Sequence, residues 1–326
     1  QGSLVSVTLT DSPKMYFAGL IGTDEVEVSA SASARIAGGG RICVIGLNDD
    51  DSGVVRLKDD ATITAKTCAV YSNSTDKSGL TVETSSKIEA ELICSSGGIK
   101  GSLTSFQPGV TTDCPQAEDP LAGRATISAG GCDYTGFTVA TGGYAVAKPG
   151  VYCDGIEVKP SATLILTEGV YVIKGGMVKV GNLSTLKAEY AGLYLADNAT
   201  FEFGEGSTID LNGARSGPMA GLLMFEDPAA SLGNSYKVSS RNAKNLTGTI
   251  YLPKGALVIQ GVQASTTTTS TGTYTVADKS AYTAIVVNRL ELKDGPNLVL
   301  NTNYNATDVP VPDGIAPIGR NIWIEK

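Results

Sequence analysis

The chain has 326 residues, a formal net charge of −8 and 39 glycines, and its basic residues occur singly or in pairs. This charge pattern argues against a nucleic-acid-binding protein, and no apolar run reaches the roughly 18 residues of a membrane-spanning helix. Valine, threonine, glycine and serine are abundant and helical periodicity is absent, so the composition predicts many short strands joined by turns.

The first 41 residues are predicted to form a lead-in and cap. Gln1-Gly2-Ser3 resembles the remnant of a protease-site linker, so residues 1–3 are set aside and the native chain is expected to begin upstream. Ser12-Pro13 and the apolar residues up to Gly22 predict a short helix with proline in its first turn. Residues 26–34 alternate small residues, which predicts a strand.

An internal repeat is the strongest feature of the sequence. Its unit reads apolar, x, apolar, three turn-prone residues, small, x, apolar, x, small or apolar, and contiguous copies recur at roughly 22–25 residues. Each copy predicts two strands around a tight corner, and stacked copies pair each strand with its equivalents at about 4.8 Å. The copies are residues 55–65, 80–90, 156–166, 178–188 and 201–211, the long middle gap being about three periods.

The repeat favours an all-β protein, a right-handed parallel β-helix (solenoid) over residues 42–326. Residues 42–100 are predicted to form the first rungs, an irregular excursion at about 101–148 packs on the solenoid, and rungs resume near 149. A polar loop follows at about 261–280, and the segment from Val309 to Trp323 is predicted to be a cap. An antiparallel sandwich is the alternative.

The cysteines predict disulfides rather than a metal site. The chain has no histidine and no C-x-x-C motif, which disfavours zinc. Disulfides, which are favoured over buried free thiols, imply an extracytoplasmic location. The first three recur at the repeat interval, on successive rungs within disulfide reach. We predict the pairs Cys43–Cys68, Cys94–Cys114 and Cys132–Cys153, which is one of several possible pairings.

Several short stretches carry a resemblance to a known family. They are Phe17–Gly22 leading into Val28–Ala34, Cys43–Leu47 with Cys68–Ser74, Asp119–Ala122, Pro149–Cys153, Gly169–Gly176, Gly248–Gly255 and Val309–Pro312. Together they resemble the C-terminal extracytoplasmic region of TadG-like proteins of the bacterial tight adherence (Tad, Flp pilus) system, over nearly the whole chain. The D-x-S-x-S metal motif that some relatives carry in a von Willebrand-type domain is absent here.

The resemblance implies a non-enzymatic accessory or structural protein that acts through protein–protein contacts in pilus assembly or adhesion. Its implied partners are pilin or pilus-assembly components, or cell-surface and envelope structures. Its implied location is the periplasm or the cell surface, with a membrane helix upstream of this sequence as anchor. No nucleic-acid partner and no cofactor are expected.

No constellation predicts catalysis. Asp49-Asp50-Asp51 and Asp59-Asp60 are the candidate acids, and both groups fall in predicted turns, where acids are commonly turn-forming. Arg215 and Arg241 lack an obvious acid partner for lyase chemistry. The absence of histidine excludes Ser-His and Cys-His nucleophiles. Asn48 to Asp59 loosely matches a calcium loop but lacks flanking helices, so a rung-connecting turn is favoured.

Exposed loops are the remaining candidate surface, since binding residues concentrate on loops held by a rigid scaffold. These are residues 101–148 and 261–280. The alternative function is a surface carbohydrate-binding or carbohydrate-active β-helix, which a ladder of exposed aromatic residues would favour. Tyrosine and tryptophan show no periodic outward positions in the sequence, so the pilus hypothesis is preferred.

Overall fold

The computed structural model describes residues 3–12, 27–36, 41–83, 85–261 and 274–315. Two units divide the chain, one made of residues 1–40 and 317–326 and the other of residues 41–316. Apart from short 3-10 turns, the described residues form strands and loops, so the protein is all β.

The strands are β1 (Ser3–Asp11), β2 (Val28–Ile36), β3 (Ile42–Gly46), β4 (Val55–Leu57), β5 (Thr62–Ser72), β6 (Leu80–Val82), β7 (Lys87–Ser95), β8 (Ile99–Lys100), β9 (Phe106–Gln107), β10 (Tyr134–Val139), β11 (Tyr144–Ala147), β12 (Gly150–Val158), β13 (Thr163–Leu166), β14 (Gly169–Val180), β15 (Thr185–Ala188), β16 (Ala191–Ala196), β17 (Thr200–Phe203), β18 (Thr208–Asn212), β19 (Leu222–Glu226), β20 (Ser235–Val238), β21 (Asn242–Gln260), β22 (Tyr274–Val276), β23 (Thr283–Lys293) and β24 (Pro296–Val299).

The first unit contains a two-stranded ribbon. Strands β1 and β2 pair antiparallel, with Leu9 opposite Ala30. Alternating small residues thus form a strand, as the sequence predicts for residues 26–34. The predicted helix between Ser12 and Gly22 falls almost entirely outside the described residues.

The second unit is built from parallel strands. The chain winds in successive turns, and each turn, here called a layer, contributes three strand segments. Each segment pairs with the equivalent segment of the next layer, so the strands form three parallel stacks, here called series. Strands β16, β17 and β18 make up one such layer and belong to the first, second and third series. In the layer before, β16 and β17 both pair in parallel with the long strand β14, and β18 pairs with β15. Long strands such as β14 bend at a corner and belong to two series.

The repeat copies all become the same local structure. Each forms the strand of one series, a corner, and the strand of the next, as in β4 followed by the start of β5. Copies that are neighbours in the sequence pair directly, so Val55 lies beside Leu80. Their corner residues are small because the chain bends there over the packed interior, and all are at most 1% exposed: Ala61, Ser86, Ala162, Ser184 and Ser207.

The core lies between the three series. Inward residues of the repeat, among them Leu57, Ile63, Leu164 and Leu186, belong to one continuous apolar cluster and are fully buried. Burying such a side chain contributes about 1.5–3 kcal/mol, before the entropy of ordering is subtracted. Each layer therefore depends on its neighbours for its core.

The layers do not stack in the order of the chain. Residues 134–300, the C-terminal block, stack in sequence order. Residues 41–111, the N-terminal block, then continue from the last layer of that block, because β23 pairs in parallel with β3 and β4 and β24 pairs with β5. The chain therefore passes from one end of the stack to the other between Thr111 and Tyr134. The gap between residues 80 and 156 is about three periods long, but the layers on its two sides are not neighbours in the stack, because Ile99 lies beside Leu80 and Phe137 beside Ile156.

The irregular excursion is shorter than expected. Residues 134–147 form β10 and β11, and β9 and the bridge of Thr111 to Cys94 belong to the N-terminal block. Only residues 112–133, here called the strap, contain no strand. The strands in residues 134–147 are hard to predict from the sequence because they are short and rich in glycine. They also lie at the end of the stack, where fewer positions are buried, so the apolar alternation is weak.

The described part of the predicted C-terminal cap packs beside the layers. Val309 and Ile315 are 1% and 2% exposed, and Tyr282 donates its hydroxyl hydrogen bond to the carbonyl of Pro310. At Gly221, whose φ is +81°, a β-carbon would lie 2.5 Å from that same carbonyl oxygen. The segment closes over the middle of the stack rather than over its end.

Candidate interaction surfaces

A column of aromatic and aliphatic residues runs along the outer side of the first series. Tyr194, Phe225 and Tyr251 lie in adjacent strands and in register, with ring centres 5.1 and 5.2 Å apart. Val286 and Ile45 continue the column across both blocks. These residues form an apolar cluster separate from the inner core.

This column corrects the conclusion that aromatic residues show no outward periodicity. Tyr194, Phe225 and Tyr251 are unequally spaced in the sequence because the turns between their strands differ in length. The regular spacing exists only in the stacked strands.

The strap covers the aromatic column. Leu121 of the strap is buried in the outer cluster, and Ala117, Ile127 and Ala129 pack against it. The hydroxyl of Tyr251 donates to the carboxylate of Asp119 at 2.8 Å. Burial, followed by that carboxylate, raises the pKa of Tyr251.

Polar contacts hold the strap at two further points. Asn73 donates to the carbonyl of Ala117 at 2.7 Å and accepts from its amide at 2.8 Å, which reproduces the hydrogen bonding of a strand pair. Arg124 donates to the carbonyl of Ala220 at 2.8 Å. The strap is thus bound to both blocks.

Disulfides fix both ends of the strap. Cys114 is bonded to Cys94 in the N-terminal block, with 6.0 Å between the Cα atoms. Cys132 is bonded to Cys153 in the C-terminal block, with 5.7 Å between the Cα atoms. The third disulfide, Cys43–Cys68, joins the adjacent strands β3 and β5 at 5.6 Å. These are the pairs that the sequence analysis gives.

The outer side of the second series carries charges of alternating sign. Glu157, Lys179, Glu202 and Lys237 are direct neighbours in successive strands. Opposite-charge neighbours contribute about 0.2–1 kcal/mol each and favour one register. Because the charges cancel along the column, this side offers no field of one sign to a charged partner.

The candidate acids lie in corners at opposite ends of β4. Asp51 accepts a hydrogen bond from Asn48 at 2.8 Å and forms an ion pair with Arg289. Asp59 and Asp60 have φ of 55° and 62°, the left-handed conformation that aspartate tolerates in turns. Within the described ranges, no group of three or more Cys, Asp or Glu side chains is placed to hold a metal ion.

The two arginines do have acid partners. Arg215 forms a bidentate pair with Glu168, both contacts being 2.7 Å, and its guanidinium lies 4.6 Å from the ring centre of Tyr190. Arg241 pairs with Glu205 at 3.5 Å. Neither pair is visible in the sequence because the partners lie in different layers.

Glu226 is a buried carboxylate that sequence reasoning did not identify. One of its oxygens accepts from the hydroxyl of Tyr236 at 2.7 Å, and the other accepts from the amides of Lys254 and Gly255 at 2.8 and 2.9 Å. Burial raises its pKa, and these hydrogen bonds oppose the shift. The side chain ties β19 to the strand β20 and to the bend within β21.

A polar groove of about 720 Å³ lies where the two blocks meet. Arg41 donates to Thr302 at 3.0 Å, and its guanidinium lies 5.6 Å from the ring centre of Tyr304. Thr67 also contacts Thr302, at 2.8 Å. Asparagine amides complete the lining, so the groove presents polar groups and one aromatic ring to solvent.

The end of the stack formed by β10 and β11 exposes apolar side chains. Tyr134, Tyr144 and Val146 are 37%, 67% and 51% exposed, and residues 134–147 contain no Asp, Glu, Lys or Arg. Among the described residues, these strands have parallel partners only on the side of β12 and β13.

Some backbone groups of this end layer point away from β12 and β13, its strand partners among the described residues. The carbonyls of Val139 and Ala147 accept from the next layer at 3.0 and 3.2 Å. Peptide groups alternate in direction along a strand, so Thr138 and Val146 direct theirs away from that layer.

The sequence matches no protein-family model, and neither a curated protein nor a solved structure matches the chain. Among the residues that the structure describes, no helix has the length and apolarity to cross a membrane.

Proposed function

We propose that the protein is a non-enzymatic, extracytoplasmic accessory or structural protein of the Tad (Flp) pilus system. It acts through protein–protein contacts in pilus assembly or adhesion, with pilin or pilus-assembly components as partners. It resides in the periplasm or on the cell surface, tethered by a membrane helix upstream of this sequence. The family resemblance supports the system, and the disulfides support an oxidising compartment.

The fold in this proposal is a right-handed parallel β-helix. Three series of parallel strands that pair layer by layer support a solenoid. Right-handed crossovers are the general rule for parallel strands, and this supports the handedness. An experimental density map that shows left-handed circuits would contradict it.

One observation carries the structural role: the strap is bonded to both blocks by Cys94–Cys114 and Cys132–Cys153. A segment that runs along the stack and is fixed at both ends resists bending and separation of the layers. The arrangement suits a rigid element of an assembly.

The test is a clean deletion of the full-length gene in the source bacterium, with surface pili counted by electron microscopy and attachment scored. We expect loss of pili or of attachment, and restoration by the wild-type gene. Complementation with Cys94→Ala/Cys114→Ala tests the strap, with Leu183→Ala as a control because Leu183 is 70% exposed. Unchanged piliation and attachment in the deletion strain would refute the proposal.

A carbohydrate-binding function is the second candidate, and the groove beside Tyr304 is the observation that favours it. An aromatic ring with neighbouring amides is suited to a sugar ring and its hydroxyls. The aromatic column is not available for this role because the strap covers it. A glycan array and a reducing-sugar assay, with Tyr304→Ala as the control variant, would support this candidate only if wild-type binding is lost in the variant.

A further inference from the structure

We propose that the end layer formed by strands β10 and β11 is a contact surface between two copies of this chain. The copies meet end to end about a two-fold axis, so that β10 of one copy runs antiparallel to β10 of the other. This inference concerns self-association and does not depend on the pilus proposal.

The two ends of the stack differ in how their edges are protected. At the far end, β8 and β9 are only two residues long, Lys100 and Pro108 occupy the edge, and Phe106 is buried at 3% exposure. Short strands, lysine and proline are the usual means of preventing edge association. Strands β10 and β11 are longer and contain neither lysine nor proline, although Lys148 and Pro149 directly follow β11 in the chain.

The junction of the two blocks shows which kind of strand pairs with an end layer of this stack. Strands β23 and β24 form the last layer of the C-terminal block, and β23 binds β3 and β4, which belong to a segment remote in the sequence. Val287 pairs with Gly46, and Leu290 with Val55. Strands that do not directly follow an end layer in the chain can thus be added to it through backbone pairing and apolar contact.

Charge favours a second copy as the occupant. The chain carries a net charge of −8, so two copies repel each other over most of their surface. Residues 134–147 carry no charge, and the patch can face itself without bringing like charges together. A two-fold contact requires such self-complementarity. The protected far end disfavours head-to-tail stacking, which would build an open filament.

The size of the patch sets the expected affinity. A single end layer is smaller than the roughly 20–30 residues per partner of a standard interface. Peptide groups at Thr138 and Val146, which point away from the next layer, add directional hydrogen bonds. We therefore expect a reversible dimer in the micromolar range rather than a permanent one.

Sedimentation velocity on the full chain over a range of concentrations is the first test. We expect the mass to rise from monomer to dimer and to stop there. Thr138→Lys or Val146→Lys places a charge on the edge and should raise the dissociation constant at least tenfold. Ile165→Lys is the matched control, because Ile165 lies directly beside Val146 but one layer inside the stack, and it should leave association unchanged.

Hydrogen exchange locates the contact. In the monomer, the amides of Thr138 and Val146 should exchange rapidly, and their protection should rise with concentration. A wild-type chain that remains monomeric overturns the proposal. The proposal is also overturned if both lysine variants dimerise with the wild-type dissociation constant, or if dimerisation protects amides outside β10 and β11. In either case another surface would form the contact. Thermal unfolding of each variant verifies that it is folded.

Discussion

Arg289 forms an ion pair with Asp51 although 238 residues separate them in the sequence. Arg289 lies on β23, in the last layer of the C-terminal block, and Asp51 precedes β4 in the N-terminal block. The pair marks the junction on which the continuity of the stack depends. Since both side chains are partly exposed, the pair itself contributes little, and the apolar residues of the junction supply most of the stability.

Leu290→Ala is predicted to destabilise the junction. Leu290 is fully buried and lies beside Val55 of the other block, so the cavity should cost about 2–5 kcal/mol of unfolding free energy. Chemical denaturation followed by circular dichroism measures the change. Leu232→Ala is the control, because Leu232 is 71% exposed and should change stability by less than about 0.5 kcal/mol. Equal effects of the two substitutions would contradict a packed junction.

Removal of both strap disulfides is predicted to release the strap. The variant that combines Cys94→Ala/Cys114→Ala with Cys132→Ala/Cys153→Ala keeps the strap only through noncovalent contacts such as Asp119 with Tyr251. We expect protease cleavage within residues 112–133 and binding of a hydrophobic dye to the uncovered column. Each disulfide should contribute about 3 kcal/mol. Cys43→Ala/Cys68→Ala is the control, since it should lose stability without preferential cleavage of the strap.

Glu226→Gln is predicted to change how stability depends on pH. The pKa of Glu226 is raised by burial, so between the unfolded value of 4.5 and its raised value the folded state binds more protons. Stability then falls as pH rises through that window. Glutamine carries no charge and can still accept from the two amides and donate to Tyr236.

The measurement is the difference in unfolding free energy between wild type and Glu226→Gln from pH 4 to pH 8. Wild type should lose stability relative to the variant as pH rises. A constant difference would show that the hydrogen bonds cancel the cost of burial. Glu226→Ala should be destabilised at every pH, because it leaves buried donors without an acceptor.

Gly255→Ala is predicted to disturb the same site sterically. A β-carbon there would lie 2.2 Å from the ring of Tyr236 and 3.0 Å from a carboxylate oxygen of Glu226. The displacement of a buried ring should cost about 1–3 kcal/mol, measured by thermal unfolding. Gly123→Ala is the matched control, since no atom lies within 4 Å of its added carbon. If both variants unfold at the wild-type temperature, the close packing at Gly255 is refuted.

The repeat made the layers predictable from the sequence. Residues such as Val55, Leu57 and Ala61 combine strand alternation with a small corner residue, and this local pattern is enough to define two strands and their turn. Cys43 and Cys68, which are one repeat interval apart, lie on adjacent strands for the same reason. Cys94 does not continue that column, because it lies beside Tyr71, and the other two disulfides join strands to the strap.

The order of the layers could not be predicted in this way. The pairing of Val44 with Ile285 depends on which apolar edges remain free after local folding, and no short pattern records it. The aromatic column and the site of Glu226 were missed for the same reason, because Tyr194, Phe225 and Glu226 meet their partners only across layers. The lack of a strand pattern in residues 112–133 was enough to predict an irregular segment there. It did not predict that this segment crosses the aromatic column.

The block order also determines the sequence of events during synthesis. Of the stacked strands, β3 to β9 emerge first, yet the edge of β3 that faces β23 stays unpaired until β23 has been made. All three disulfides join cysteines 20–25 residues apart, so they can close while the chain is still emerging. Docking of the two blocks is then the last event, and a nascent chain that stops before residue 283 keeps an adhesive edge at residues 42–46.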